Sequence, residues 1–234
     1  RLDSTFISYK GVLMNDLSLT FDSRQDPVWF QLESTIRGWG EVIPKFKTGT
    51  HTVGGDGSVT FNDFGVGVMF LPSGLGYYNQ SVGNIPAYSP LIFNFRLFKQ
   101  RSKDHDRDGI LSKDEYGGTN FNLEPVNTDG DSFPDYLDLD DDNDGWLTKK
   151  ELEFTYMDGS ETKTGYYPYN GAAVDDPLTP YDDRRGIPRK FTGPLAAPIP
   201  PATVGLPTSQ ESDFTDPARL RRHLDSTCKP PYGE

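Results

Sequence analysis

Very little in this chain could cross-link it. A single cysteine, Cys228, stands among 234 residues and permits no internal disulfide. It is expected to be an unreactive, half-buried thiol in a tail. No apolar run approaches the length of a membrane span. Apolar residues make up 34% of the sequence, too few for one large globule, so part of the chain must lie outside any core. Positive charge is scarce, with 23 Lys and Arg against 35 Asp and Glu. That balance makes nucleic acid a poor partner. The first residue is Arg1 rather than Met, so a signal peptide or lipid-anchor segment is expected to lie outside these residues.

What the chain does have is sorted along its length. The formal net charge is −12, yet residues 104–151 carry fifteen acidic and four basic residues, leaving the rest nearly neutral. The acidity therefore belongs to one segment that attracts cations. Residues 1–101 alternate apolar and polar positions, and "STFISYK", "LSLTF", "VWFQL", "GVGVMFLP" and "PLIFNFRLF" read as strands. A short helix is expected near Gly38–Lys47, shortened by Pro44. "HTVGGDGSVTF" reads as a small hairpin. The fold class is α+β: a small antiparallel sheet on one helix. Residues 102–158 form the acidic segment. Eleven of the nineteen prolines fall in 177–234, so residues 159–234 read as an irregular, extended tail that cannot pair into a sheet. Within it, "TDPARLRRHLD" predicts a two-turn helix near 217–224, with Asp216 as its N-cap and Pro217 at its first position.

Five strings fall in a telling order: "YKG" at 9–11, "TFDS" at 20–23, "TIRGWGEVI" at 35–43, "LPSGLGY" at 71–77 and "IPAYSPLIFNFRL" at 85–97. Together they resemble the FKBP family of peptidyl-prolyl cis-trans isomerases over about 95 residues. The resemblance implies an antiparallel sheet wrapped on a short helix. It also implies a pocket of Tyr9, Phe21, Asp22, Val28, Thr35, Ile36, Trp39, Tyr77, Ile85 and Phe93. Trp39 would be its floor, and Phe21, Phe93 and Tyr9 its walls. Tyr77 would bond a substrate carbonyl, while Asp22 and the Ile85 amide would orient the peptide. Val28 stands where the family usually has an aromatic residue.

The acidic segment holds two twelve-residue windows with EF-hand spacing. In "DHDRDGILSKDE", Asp104, Asp106, Asp108, the Ile110 carbonyl, Ser112 and Glu115 fall at the ligand positions. In "DDDNDGWLTKKE", Asp140, Asp142, Asp144, the Trp146 carbonyl, Thr148 and Glu151 do so. Leu111 and Leu147 occupy position 8, where paired loops can touch through a β-bridge. Between the windows, "NTDGDSFPDYLD" resembles the acidic unit of thrombospondin type 3 repeats, with Asn127, Asp129, Asp131, Asp135 and Asp138 as candidate ligands. Two calcium ions are expected, with room for a third. The first loop follows a strand rather than a helix, so the ions are expected to staple the segment rather than to switch it.

These features lead to a prolyl isomerase that assists the folding of exported proteins, acting on their proline-containing segments with no catalytic cofactor. The expected location is the periplasm or outer-membrane surface. Two other classes compete. One is a non-catalytic docking subunit of a larger outer-membrane or secretion assembly, bound through the tail. The other is a calcium-dependent adhesion module.

Overall fold

The computed structural model describes residues 2–119, 122–198 and 200–233. It divides between Lys103 and Asp104 into two compact units, where the sequence suggests three regions.

The first unit is built on a four-stranded antiparallel sheet. Its strands are β1 (Ser4–Leu13), β2 (Asp16–Gln31), β5 (Gly65–Leu71) and β6 (Leu91–Arg101), in the order β2-β1-β6-β5. The central strand β1 is buried along most of its length, whereas β6 alternates buried and exposed positions at its N-terminal end. "LSLTF" and "VWFQL" belong to one strand rather than two. Pro27 lies between them, and β2 tolerates it because it is an edge strand. The β1–β2 register shifts between Ile7 and Tyr9 and again after Gly11, so the long strand bends. Helix α1 (Arg37–Val42) ends before Pro44, and a 3-10 turn over Ile43–Lys45 follows. Strands β3 (Thr50–Val53) and β4 (Val59–Asn62) form a separate hairpin. Ile7, Leu13, Trp39, Ile43, Leu71, Leu91, Phe95 and Leu97 supply the core between helix and sheet.

The second unit takes in both the acidic segment and the proline-rich tail. It contains hairpins β7 (Tyr116–Thr119) with β8 (Asn122–Pro125) and β9 (Glu153–Asp158) with β10 (Glu161–Tyr166). Helix α2 (Thr148–Glu151) closes the second acidic loop. A small core joins Ile110 and Leu152 to Tyr167, Ile187, Phe191 and Phe214, so residues from the tail supply most of it.

One expectation for the tail is refined and another corrected. First, the segment forms no strand among the described residues, but it closes on itself through a single bridge. Gly193 and Ala196 donate to the Thr208 and Leu206 carbonyls, Thr208 donates to Pro194, and Leu195 and Pro207 form a bridge. The non-proline amides between the prolines make this possible. Second, the helix is not at 217–224. Helix α3 is Glu211–Thr215, capped by a reciprocal Gln210–Asp213 box, and Asp216 is its C-cap. Only a 3-10 turn, Arg222–Leu224, forms beyond it. Tertiary bonds override local preference here. Arg219 donates to the Ile187 and Asp216 carbonyls, and the fully buried Arg222 donates to the Glu151 and Glu153 carbonyls. Arg222 also lies over the ring of Tyr232, 3.9 Å from its centroid.

Candidate active site and cation-binding loops

A cavity of about 380 Å³ opens in the first unit. Eight of the ten candidate residues line it: Tyr9, Phe21, Asp22, Thr35, Ile36, Trp39, Tyr77 and Phe93. Trp39 is buried at its base and meets Tyr9 and Phe93 edge-on, with ring centroids 5.0 Å and 5.4 Å away. Phe21 stands edge-on to Phe93 at 5.5 Å. The glycine of "YKG" makes this possible, since a Cβ on Gly11 would lie 2.7 Å from the Phe21 ring and 2.8 Å from Phe93. Edge-to-face packing of this kind fixes ring orientation as well as burying area.

Polar groups gather at the rim. The Tyr9 hydroxyl donates to Asp22 Oδ2 at 2.5 Å. Burial raises the Tyr9 pKa, and the Asp22 carboxylate that accepts its hydrogen bond raises it further. Tyr9 therefore stays a neutral donor. Thr35 Oγ1 donates to the Leu32 carbonyl at 2.7 Å. Ile36 is the N-cap of α1, at the end where helix amides have no intrahelical acceptor.

Two candidates stand elsewhere. Val28 pairs with Ile7 across the sheet and does not line the cavity, whereas Phe30, two residues further along the strand, does. Phe30 packs at 5.8 Å from Tyr9 and 5.6 Å from Trp39, supplying the aromatic wall that Val28 lacks. Its period-two spacing from Val28 was the signal available in the sequence. Ile85 is buried in the core beside the cavity. Its amide donates to the Val82 carbonyl at 2.9 Å, closing a turn through Gly83, so it is not free to orient a peptide. Ser34 also lines the cavity and carries no motif.

A larger cavity, about 590 Å³, lies in the second unit between Phe154, Tyr156, Tyr167, Tyr181 and Phe214. Its mouth carries Asp182, whose carboxylate is engaged by Arg184 at 2.7 Å and held down to a pKa of about 2 by that bond.

The acidic loops share three of their four side-chain-to-amide bonds; the fourth reaches the amide at position 4 in the first loop and at position 5 in the second. In the first, Asp104 accepts the Arg107 and Gly109 amides, Asp106 accepts that of Asp108, and Asp108 accepts that of Ile110. In the second, Asp140 accepts the Asp144 and Gly145 amides, Asp142 accepts that of Asp144, and Asp144 accepts that of Trp146. Gly109 and Gly145 adopt φ of +110° and +93°, which explains glycine at position 6. The middle unit keeps the pattern in part. Asn127 accepts the Gly130 amide, Asp129 that of Asp131, and Asp131 that of Phe133. The second terminal atom of Asn127 is a donor, and it bonds the Asp131 carbonyl instead of an amide at position 6.

Carboxylate oxygens converge within 4.8 Å in four groups among the described residues. These are Asp104, Asp106 and Asp108; Asp108, Glu115 and Asp141; Asp129, Asp131 and Asp138; and Asp140, Asp142 and Asp144. Three position-9 candidates take another role. Ser112, Thr148 and Asp135 accept the position-2 amides of His105, Asp141 and Thr128. Glu151 is fully buried but outside these groups, and Tyr232 donates to its Oε1 at 2.8 Å. Leu111 and Leu147 form no bridge; among the described residues the isolated bridges lie elsewhere.

Burial, reinforced by neighbouring carboxylates, pushes these groups up. Asp108 and Asp142 rise to about 6, Asp106 to about 7, Glu151 to about 8, Glu115 to about 9 and Asp141 to about 10. Buried oxygens of Asp106, Asp108, Glu115, Asp142, Asp144 and Glu151 have no hydrogen-bond partner among the described residues. Such orphaned, all-oxygen donors fit a hard divalent cation, calcium above all.

The BamM C-terminal family model matches residues 105–181. Among curated proteins, the human and Pongo abelii peptidyl-prolyl cis-trans isomerases FKBP14 are each 27% identical over 179 residues, covering 66% of this chain and 76% of theirs. Among solved structures, a peptidyl-prolyl cis-trans isomerase from Pseudomonas syringae pv. tomato is 24% identical, with a TM-score of 0.33, covering 42% of this chain and 62% of that one. FkpA from Escherichia coli is 26% identical, also with a TM-score of 0.33, covering 43% of this chain and 40% of its own. By the names of its curated relatives, the chain is similar to FKBP-type peptidyl-prolyl cis-trans isomerases.

Proposed function

We propose that the first unit is a peptidyl-prolyl cis-trans isomerase. The observation that carries this reading is the aromatic bowl of Trp39, Tyr9, Phe21, Phe30 and Phe93, open to solvent, with the Tyr9–Asp22 hydrogen bond at its rim. Rotation about a peptide bond faces a barrier of roughly 18–20 kcal/mol because it breaks amide resonance. X–Pro bonds populate both isomers and exchange slowly. The rotation breaks no σ bond, so it asks for no nucleophile and no proton transfer. A dry bowl that seats the proline ring favours the twisted imide, which has lost resonance and polarity, over either planar form. Trp39 and Phe93 would hold the ring and Phe21 and Phe30 would exclude water, while Tyr77 would offer its hydroxyl to a substrate carbonyl. The Tyr9–Asp22 pair would fix the rim; Asp22 acts as an acceptor, not as a general base. The activity in the names of the FKBP14 relatives supports the same reading.

The second unit, in this proposal, is folded by calcium. Clustered buried carboxylates repel one another without a counter-ion, and binding that occurs only in the folded state stabilises it. Asp104, Asp106, Asp108 and Glu115 would hold one ion and Asp140, Asp142 and Asp144 another, with Asp129, Asp131 and Asp138 as a third group. Loops of this kind suit a calcium-rich compartment, so we place the protein in the periplasm or at the outer-membrane surface, acting on exported chains.

A non-catalytic docking role is the second reading. The exposed row Val66, Val68 and Phe70 along β5 favours it. The tail does not, because the second unit's own core takes it up. The test is acceleration of X–Pro isomerisation in a short peptide by the whole chain, with Phe21→Ala and Asp22→Ala as controls. Wild-type acceleration that falls in both folded variants supports the enzyme. No acceleration by a folded wild type supports docking.

A further inference from the structure

The twelve-residue pattern gives position 2 no role. In the first loop that position is His105 and in the middle unit Thr128; in the second loop it is Asp141, the middle of three consecutive carboxylates. Its amide donates to Thr148 Oγ1 at 3.1 Å, the bond that the other two units also make. Its side chain is not grouped with Asp140, Asp142 and Asp144 of its own loop. It comes together instead with Asp108 and Glu115 of the first loop, all within 4.8 Å.

This is more than an acidic cluster. Asp141 is 1% exposed, Asp108 1% and Glu115 6%. Both Asp141 oxygens, both Glu115 oxygens and Asp108 Oδ2 are buried with no hydrogen-bond partner among the described residues. An ionised carboxylate left so would cost several kcal/mol. Three buried carboxylates with unpartnered oxygens, converging within 4.8 Å from three chain positions, make the donor set of a hard cation. Asp108 belongs both to this group and to the group with Asp104 and Asp106.

We propose that Asp141 is a ligand of the first loop's calcium ion. One ion is then held by carboxylates from both loops, and it fastens residues 104–115 to residues 140–151 where no β-bridge does. The first site is incomplete until the second loop is folded, so the two loops gain calcium cooperatively. The inference rests on the calcium reading above and adds to it a ligand from outside the loop.

The test is a sign reversal in the full chain. Asp141→Asn keeps shape and removes charge. In chelator it removes the cost of burying that carboxylate, so protease should cleave the second unit more slowly than in wild type. In saturating calcium it weakens the site, so the unfolding midpoint of the second unit should lie below wild type. Any result without that reversal overturns the proposal. A crystal structure of the wild type grown with calcium decides the matter without a variant. An Asp141 oxygen in the coordination shell of the first loop's ion, at about 2.3–2.6 Å, supports the proposal. An ion held there with Asp141 turned away overturns it and leaves the calcium staple standing. A folded wild type with no ion in either loop overturns both.

Discussion

The two units solve the folding problem in opposite ways. The first buries Ile7, Leu71, Leu91 and Leu97 almost completely and keeps its charges outside. The second buries Asp108, Asp141, Asp142, Glu115 and Glu151 alongside only a handful of large apolar side chains. Apolar burial stabilises at about 25 cal/mol per Å² without any ligand. Buried carboxylates stabilise only when something compensates them. A unit of the second kind is therefore conditional on its solution, while one of the first kind is not.

Chelation should widen this difference most. Removing calcium should open the second unit to limited proteolysis beyond about residue 104 and leave an intact fragment of the first. If residues 104–158 stay protected in chelator, the contrast fails. A smaller effect, again confined to the second unit, is expected from Arg222→Met. It leaves the Glu151 and Glu153 carbonyls without their donor, at about 1–3 kcal/mol for each carbonyl left unsatisfied. Calcium-loaded thermal unfolding should show one transition lowered and the other unmoved. Smaller still in stability, but specific to the first unit, is Phe30→Ala. It opens one wall of the bowl, so isomerisation should slow while calcium binding stays the same in calorimetry. The smallest effect concerns Cys228. It is 3% exposed, and burial pushes its thiol up to about 12, so at pH 8 almost none is thiolate. A thiol reagent should label it only after chelation; labelling of the calcium-loaded protein would show that the second unit is loose there too.

The sheet and the bowl were legible because their signals are local. Alternation marked the strands, and the family resemblance carried by "YKG", "TFDS", "TIRGWGEVI" and "LPSGLGY" implied the walls. Two turn-like residues, Asp26 and Pro27, hid the continuity of β2, since sequence does not show that a strand lies at an edge. Hairpin β9–β10 carried a Gly159–Ser160 turn, with φ of +64° at Gly159, between alternating residues, and could have been read. The tail could not. Arg219 and Arg222 look like members of a helix, and only the carbonyls of Ile187, Glu151 and Glu153, distant in sequence, pull them out of one. Asp141 was hidden likewise, because its partners come from a different loop. The Ile85 amide looked free in sequence because the turn that takes it up, through Val82, has no distinctive residue but Gly83.

The claim that most needs testing is that the bowl works and owes nothing to calcium. The direct measurement is the rate of X–Pro isomerisation of one peptide by the whole chain, in calcium and again in chelator. Digestion in parallel reports the state of the second unit. The account predicts the same acceleration in both, with the second unit cleaved only in chelator. Acceleration that is absent in calcium, or that collapses when the second unit opens, would contradict it.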